Sequence, residues 1–464
     1  MTSVETFLQK ISNHSRDSKI YFEDKSYTYK QIVDKSYDIA RFIESQDYQK
    51  VFFNLKNTPL SFCLYIAGFI ADIELLVPVN SRLIDQEMEQ IIETNSLFFT
   101  YEATSEFKVF AKKNNIKTIE INNEIRFLEE LCKTDDLKVF GKAAIAHVSS
   151  GTTGAYKKHP HSLNQIIGYA NNRSKDLGLL EDDHLLMAVS VNFVFAFACQ
   201  FLPAITMGLN VTMIREFSVS ALLEIVAENN VTALALVPTM YNFLAKQDIG
   251  SHNLRYLGVA GDIVSEGLYN SVKKAFGLPL LSGIGMTEII GYGQNASSNE
   301  YNNKIKIFDD AEVRIEKFKD SDYGIIFVKN NTLPLYAQND WFDTGDIGSF
   351  DEQTRELIFY GRYKDIIIKG GSNISPVELE SVILQLDNIS TCVVVGKADK
   401  IWGETICGFV VGSNYSLDDI NNHLVKFVAK YKKLDQLIQI EQMPLTSSGK
   451  VDRKKLKQLA DNEY

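Results

Sequence analysis

From about residue 140 onward, short apolar runs alternate with amphipathic stretches, and this alternation limits the folds open to the chain. Residues 143–148, 185–190, 231–237 and 254–259 read as strands, while 221–228 and 266–276 carry apolar side chains at helical spacing. Strands separated by helices build layered α/β sheets, with loops at the strand ends as binding positions. The first part is similar: 29–46 reads as a helix, 51–54 as a strand and 60–71 as a buried helix. Short strands and turns dominate 304–360. Beyond residue 364 the character changes again, with Pro376 opening a helix at its first turn, strands at 392–395 and 406–411, and a helix at 417–430. This last stretch has the size of a small α+β domain, roughly 100 residues.

Bulk properties exclude several classes. At 464 residues the chain exceeds one ordinary core and requires two or more domains. A formal net charge of −11 argues against nucleic acid as the main partner, though a local basic site remains compatible with phosphate ligands. The cysteines Cys63, Cys132, Cys199, Cys392 and Cys407 are scattered, odd in number and without metal-ligand spacing, which fits reduced thiols in a cytoplasmic protein. The first residues lack a basic segment followed by an apolar core, so no secretory signal is expected. Residues 189–214 contain no Asp, Glu, Lys, Arg or His and are long enough to span a bilayer. Asn192, Gln200, Pro203, Gly208 and Asn210 argue for a buried strand–helix–strand unit instead, with no integral membrane span.

Five segments carry the chemistry. Ser149-Ser150-Gly151-Thr152-Thr153-Gly154 follows a strand and continues to Lys157. Small and hydroxylated residues let backbone N–H groups approach an anion, and a lysine three positions beyond the last glycine adds positive charge. The spacing is not that of a Walker loop, and the plainer reading is a polar strand-to-helix turn. Gly285-Met286-Thr287-Glu288 taken alone reads as a helix start with Thr as its cap and Glu near the dipole. Thr344-Gly345-Asp346 taken alone reads as a turn aspartate. Gly361-Arg362-Tyr363-Lys364-Asp365 and Pro444-Leu445-Thr446-Ser447-Ser448-Gly449-Lys450 complete the series.

In this order the five segments resemble the adenylate-forming superfamily, whose acyl- and aryl-CoA synthetases, luciferases and peptide-synthetase adenylation domains activate carboxylates with ATP. The resemblance implies that Ser150, Gly151, Thr152, Thr153, Gly154 and Lys157 hold nucleotide phosphates, that Thr287 meets the α-phosphate and that Glu288 helps hold Mg2+. Gly261 and Asp262 would wall the adenine site, Asp346 would take the ribose hydroxyls and Arg362 would sit near ribose and phosphate. Lys364 matches the hinge between a large region, 1–363, and a small mobile domain, 364–464. Gly370 and Gly371 would line a pantetheine channel, and Lys450 would reach the carboxylate and α-phosphate during adenylation.

The sequence also departs from the family pattern. Tyr156 stands where Pro is usual, Lys158 where a small residue is common, and Ile284 where an aromatic often faces adenine. Val77-Pro78-Val79-Asn80-Ser81-Arg82-Leu83 looks more like acyl-CoA synthetases than peptide-synthetase domains. The segment matching the acyl pocket, Asn192, Phe193, Val194 and Phe195, lacks the Asp that amino-acid-activating relatives use and the His of many acyl-CoA synthetases. An uncharged fatty or aromatic carboxylate is therefore expected, with ATP, Mg2+ and CoA as cofactors. Lys364, Lys369, Lys432 and Lys433 are the cations expected to meet CoA phosphates. Two alternatives stand beside this. One is loading of a carrier-protein phosphopantetheine in trans; the other is a non-catalytic nucleotide-binding relative, suggested by the short segment 324–341 with its missing Gly-Glu and Gly-Tyr landmarks. The assembly is left open, a homodimer included.

Overall fold

The computed structural model describes every residue except 1, 16, 132–137, 151–154, 229, 297–299, 319–321, 338–339, 413, 447–450 and 463–464, and the side chains of 150, 174 and 175. The chain is of mixed α/β architecture, as the alternation predicts. It divides into two compact units. One comprises Met1–Gly261, Leu280–Gln294 and Asn330–Asp340; the other comprises Asp262–Pro279, Asn295–Lys329 and Trp341–Tyr464.

Two sheets build the first unit. In one, the strands run in the order Gly293–Gln294, Leu281–Ile284, Tyr256–Val259, Ala233–Leu236, His184–Met187, Asn210–Met213, Lys19–Phe22 and Lys25–Thr28. Its inner pairs are parallel and the two outermost pairs antiparallel. The other runs Ile116–Glu120, Ser96–Thr100, Lys50–Phe53, Leu75–Pro78, Ala144–Ser150 and Tyr156–Ser162, parallel except for its last pair. Apolar side chains of both sheets meet in one core cluster, which also takes in the helix Pro59–Ile70, buried along its whole length. A helix apolar all round is stable only in such a core.

Residues 189–214 form no span. Helical segments Val194–Ala196, Phe197–Phe201 and Leu202–Met207 precede the strand Asn210–Met213, and no helix of the described residues is long and apolar enough to cross a membrane. Residues 189–193 are not a strand: Asn57 ties this stretch down, donating to the Val189 carbonyl at 2.9 Å and accepting from the Val191 N–H at 2.8 Å.

The second unit holds the strands Ala311–Lys317, Gly324–Asn330, Phe342–Asp351, Glu356–Arg362 and Lys304–Ile307 in that order. A smaller sheet follows, Ser372–Ile374, Ile367–Lys369, Gly403–Val411 and Thr391–Asp399, with Gln436–Gln439 pairing in parallel on Gly403–Val411. Its strands bury alternate residues on opposite faces, Val394 in one cluster and Val393 and Val395 in another. The helix expected at 417–430 ends at Leu424, capped at its start by Ser416, whose hydroxyl receives the Asp419 N–H. Beyond it Lys430–Lys432 forms a single 3-10 turn. The four described cysteines are free thiols.

Candidate active site

The strands Ala144–Ser150 and Tyr156–Ser162 are paired from Ala144 opposite Ser162 to Ser150 opposite Tyr156. The anion-loop sequence is therefore a connection between two strands, not a strand-to-helix turn, because pairing resumes as soon as residue 156 is reached. Gly151, Thr152, Thr153 and Gly154 lie outside the described residues. Side chains alternate along a strand, so Tyr156 and Lys158 share one face while Lys157, His159 and His161 share the other.

The two departures from the family pattern have a use on the first face. The Tyr156 hydroxyl donates to Glu87 at 2.6 Å, and the Lys158 ammonium meets the Ile91 carbonyl and Glu93, both at 2.8 Å. Both fasten the hairpin to the helix Asp85–Ile91 and the residues just after it. The opposite face bears Lys157 and the histidines. There Lys157 is exposed opposite Ser149, and His159 lies opposite His147.

His159 joins the hairpin to the second motif. Its Nε2 lies 2.8 Å from Ser149 Oγ and 3.5 Å from Glu288 Oε1, while its Nδ1 meets the Tyr336 hydroxyl at 2.6 Å. Burial lowers its pKa, against the raising influence of Glu288. Burial, with Glu288 beside it, pushes the Tyr336 hydroxyl up to about 12. Nearby, His161 Nε2 reaches the Thr287 carbonyl at 3.4 Å, and burial takes its pKa down to about 4. His147 is fully enclosed and lowered to about 3, first by burial and then by His161 and His159. None of these three histidines, nor Tyr336, was picked out from the sequence. The alternation Lys157, His159, His161 beside the loop was the available signal.

Thr287 and Glu288 do not start a helix. They lie in a turn that brings the chain back on itself, with Ile290 N–H bonded to the Met286 carbonyl at 2.8 Å and Thr332 Oγ1 donating to the Ile289 carbonyl at 2.5 Å. The turn is tight: a Cβ on Gly285 would stand 2.2 Å from the Ile290 carbonyl oxygen. Ile290 itself sits at φ +67°, a conformation that a β-branched residue adopts only where its surroundings impose it. Gly261 follows the strand Tyr256–Val259, and Ile284 ends the strand Leu281–Ile284.

The expected acyl-pocket residues divide. Asn192 is buried and donates to the Leu55 carbonyl at 2.7 Å, so its amide anchors the chain. Phe193, Val194 and Phe195 are half-buried. Phe197 is core, its ring 4.9 Å from that of Tyr65 and 4.7 Å from that of His147.

In the second unit Asp346 and Arg362 are cross-strand partners, and Arg362 Nε lies 2.9 Å from Asp346 Oδ1. Asp346 is buried and Arg362 exposed, with its Nη1 donating to the Thr344 carbonyl at 3.1 Å. Asp262 is exposed and receives the Ile263 N–H at 2.8 Å. Lys364 is exposed on the 3-10 turn Tyr363–Asp365 between two strands. Gly370 and Gly371 form the two-residue connection of the hairpin Ile367–Lys369 and Ser372–Ile374, both with positive φ, as a twisted hairpin turn demands. A Cβ on Gly370 would meet the Trp402 ring at 2.9 Å.

Two of the lysines expected to meet CoA phosphates have acidic partners here: Lys369 pairs with Asp435 at 2.7 Å and Lys432 with Glu378 at 2.6 Å. Lys450 lies outside the described residues. The base of its loop is described, with Leu445 bridged to Val451 and the Asp452 N–H bonded to the Pro444 carbonyl at 2.8 Å. Arg453 then anchors the following helix through Glu380 at 2.8 Å.

Comparison with known proteins decides the family. The AMP-binding enzyme family matches residues 7–323, and the AMP-binding enzyme C-terminal domain matches residues 378–450. The chain belongs to the AMP-binding enzyme family. A 2-succinylbenzoate–CoA ligase of Staphylococcus epidermidis is 27% identical over 458 residues, covering 94% of each chain. ATP-bound MatB from Rhodopseudomonas palustris superposes with a TM-score of 0.88 over 100% of both chains at 18% identity. O-succinylbenzoate CoA synthetase from Bacillus subtilis, solved with its acyl-adenylate intermediate, gives 0.82 over 97% of both chains at 22% identity. The chain thus has the fold of these enzymes, a large region of sheets and helices and a small C-terminal domain.

Proposed function

We propose that the chain activates an aromatic carboxylate with ATP, giving an acyl-adenylate and pyrophosphate, and then passes the acyl group to the thiol of CoA. The observation that carries this reading is Glu288, held beside the hairpin face that presents Ser149 and Lys157. A carboxylate next to an anion-binding face suits a Mg2+ ion that arrives with a nucleotide. Among the described residues no three His, Cys, Asp or Glu side chains cluster as a metal site. One protein carboxylate with phosphate oxygens is how Mg2+ is commonly bound. When bound, the ion would offset the phosphate charge that repels an incoming carboxylate.

The remaining roles follow the family resemblance. The loop from Ser150 to Gly154 and Lys157 bind phosphate, and Thr287 meets the α-phosphate. Asp346 accepts from the ribose hydroxyls, oriented by Arg362, and Gly261 and Asp262 border the adenine. Phe193, Val194 and Phe195 face the acyl group, for which Asn192 sets the chain path. Lys450 stabilises charge as pyrophosphate leaves. Rotation at Lys364 of a small domain, 364–464, then brings Gly370 and Gly371 to the thioester step. The aromatic acid is favoured over a fatty one by the 2-succinylbenzoate ligases among the relatives and by the half-buried phenylalanines 193 and 195. Pyrophosphate release measured over a panel of 2-succinylbenzoate, benzoates and medium-chain fatty acids tests the reading. Absence of pyrophosphate release across the whole panel, while nucleotide still binds, would point instead to a non-catalytic relative.

For the acceptor a second reading has support of its own. With Lys369 and Lys432 already paired, the surface around Gly370 presents exposed Ile368, Ile401 and Trp402, which suits docking of a phosphopantetheine carrier. Thioester formation with free CoA against pantetheinylated carrier, at equal concentrations, separates the two.

A further inference from the structure

The hydrogen bonds around His159 do more than fill a buried space. The side chain has two nitrogens and three polar neighbours, and of the two neutral tautomers, the neutral ring being favoured by burial, only one serves them all. If Nε2 carried a lone pair, that pair would face the Glu288 carboxylate at 3.5 Å, and the Ser149 hydroxyl would spend its proton on the ring at 2.8 Å. With the proton on Nε2, the ring donates to Ser149 and turns its positive N–H edge toward the Glu288 carboxylate at 3.5 Å, and Nδ1 is left to accept from the Tyr336 hydroxyl at 2.6 Å. Ser149, having accepted, keeps its own proton to donate elsewhere.

Tyr336 is held in place for this. Its segment is stitched to the hairpin and to the following helix by the Leu335 N–H on the Pro160 carbonyl at 2.9 Å and by Gln165 Nε2 on the Leu333 carbonyl at 2.7 Å. The residue as a whole is 61% exposed, so apolar burial alone does not account for its position.

We propose that His159 is a positioning residue for nucleotide binding, with Tyr336 fixing its tautomer so that one ring N–H aligns both the Ser149 hydroxyl toward a nucleotide phosphate and the Glu288 carboxylate toward the metal. The proposal rests on the reading of Glu288 as a metal ligand and of the hairpin as a phosphate site. The segment that is short against the family pattern thus supplies the group that orients the phosphate hairpin.

The test uses the full-length protein and calorimetric binding of Mg·ATP, with urea unfolding midpoints recorded for each variant. Tyr336→Phe removes a single hydroxyl from an exposed residue, and it should weaken Mg·ATP about tenfold with the midpoint unchanged. Ser149→Ala should weaken binding similarly. The double variant Tyr336→Phe/Ser149→Ala should be no worse than Ser149→Ala by more than about twofold, because the two act in one chain. His159→Gln, which keeps a donor, should retain more affinity than His159→Leu. Independent, multiplicative losses in the double variant, or Mg·ATP affinity within about twofold of the parent in both Tyr336→Phe and His159→Leu, would overturn the proposal. A parent chain that fails to bind Mg·ATP would remove the functional reading itself, and this proposal with it.

Discussion

Lowering the pH from 7 to 5 should destabilise the fold through two histidines that have no room to charge. His147 and His161 are buried, and among the described residues the Nδ1 atom of each has no hydrogen-bond partner. The His147 Nε2 already faces the Tyr65 hydroxyl at 3.3 Å, and that of His161 faces the Thr287 carbonyl. A second proton would therefore sit on an enclosed, unsatisfied nitrogen. Burial, first among the causes, brings these pKa values to about 3 and about 4, against an ordinary value of 6.5. Because both are lowered, the unfolded chain binds more protons across that interval. Their contribution to stability is complete above about pH 6.5 and is lost progressively as pH falls toward 4. By pH 5 each unfolded imidazole has gained about 1.5 pH units of protonation energy that the folded one has not, about 2 kcal/mol per site. Against a typical domain stability of about 5–15 kcal/mol the pair is a large share. Urea unfolding followed by circular dichroism at pH 7, 6 and 5 measures this directly. His161→Gln, whose amide can still donate to the Thr287 carbonyl, should reduce the acid-induced loss by about 2 kcal/mol. His147→Gln should do the same independently. If both variants lose stability with the same pH slope as the parent, the buried-histidine argument is wrong.

Three further outcomes bear on the site. Asp346→Asn should raise the KM for ATP at least about tenfold by removing a charged acceptor, with little change in the unfolding midpoint because Arg362 is exposed; unchanged KM would count against the ribose assignment. Gly370→Ala places a Cβ 2.9 Å from the Trp402 ring at a φ of +57°, so it should destabilise the small sheet by about 1–2 kcal/mol and slow thioester formation more than pyrophosphate release; equal slowing of both steps would argue against a role confined to the thiol step. Lys450→Ala should abolish pyrophosphate release yet still convert supplied acyl-adenylate and thiol to thioester, and equal loss of both would undo the alternation of half-reactions.

Local sequence determined the elements whose signals are local. Glu266–Phe276 was legible to the residue because its apolar periodicity lies wholly within it. Pro376 marked the start of its helix for the same reason. The α/β class followed from the order of strands and helices, and the motif series followed from residue types at fixed spacing. Asp346 and Arg362 could be nominated together, and the structure makes them cross-strand partners.

What tertiary structure alone decided depends on register and long-range packing, which residue spacing does not encode. Nothing near Tyr156 and Lys158 in sequence announces that they fasten the hairpin to residues some 65–70 positions earlier. Phe197 and Phe195 are chemically alike, but the path of a short helical segment sends one into the core and leaves the other half-buried. Lys369 and Lys432 look like free cations until the fold sets Asp435, just before the strand Gln436–Gln439, and Glu378, on the helix Pro376–Ile383, beside them. His159 gains its place only when pairing puts it beside Ser149 and when two other stretches, 336 and 288, arrive from far along the chain. A side chain's chemistry is written in its own residue, but its protonation, its partners and its reach are set by whatever the fold packs against it.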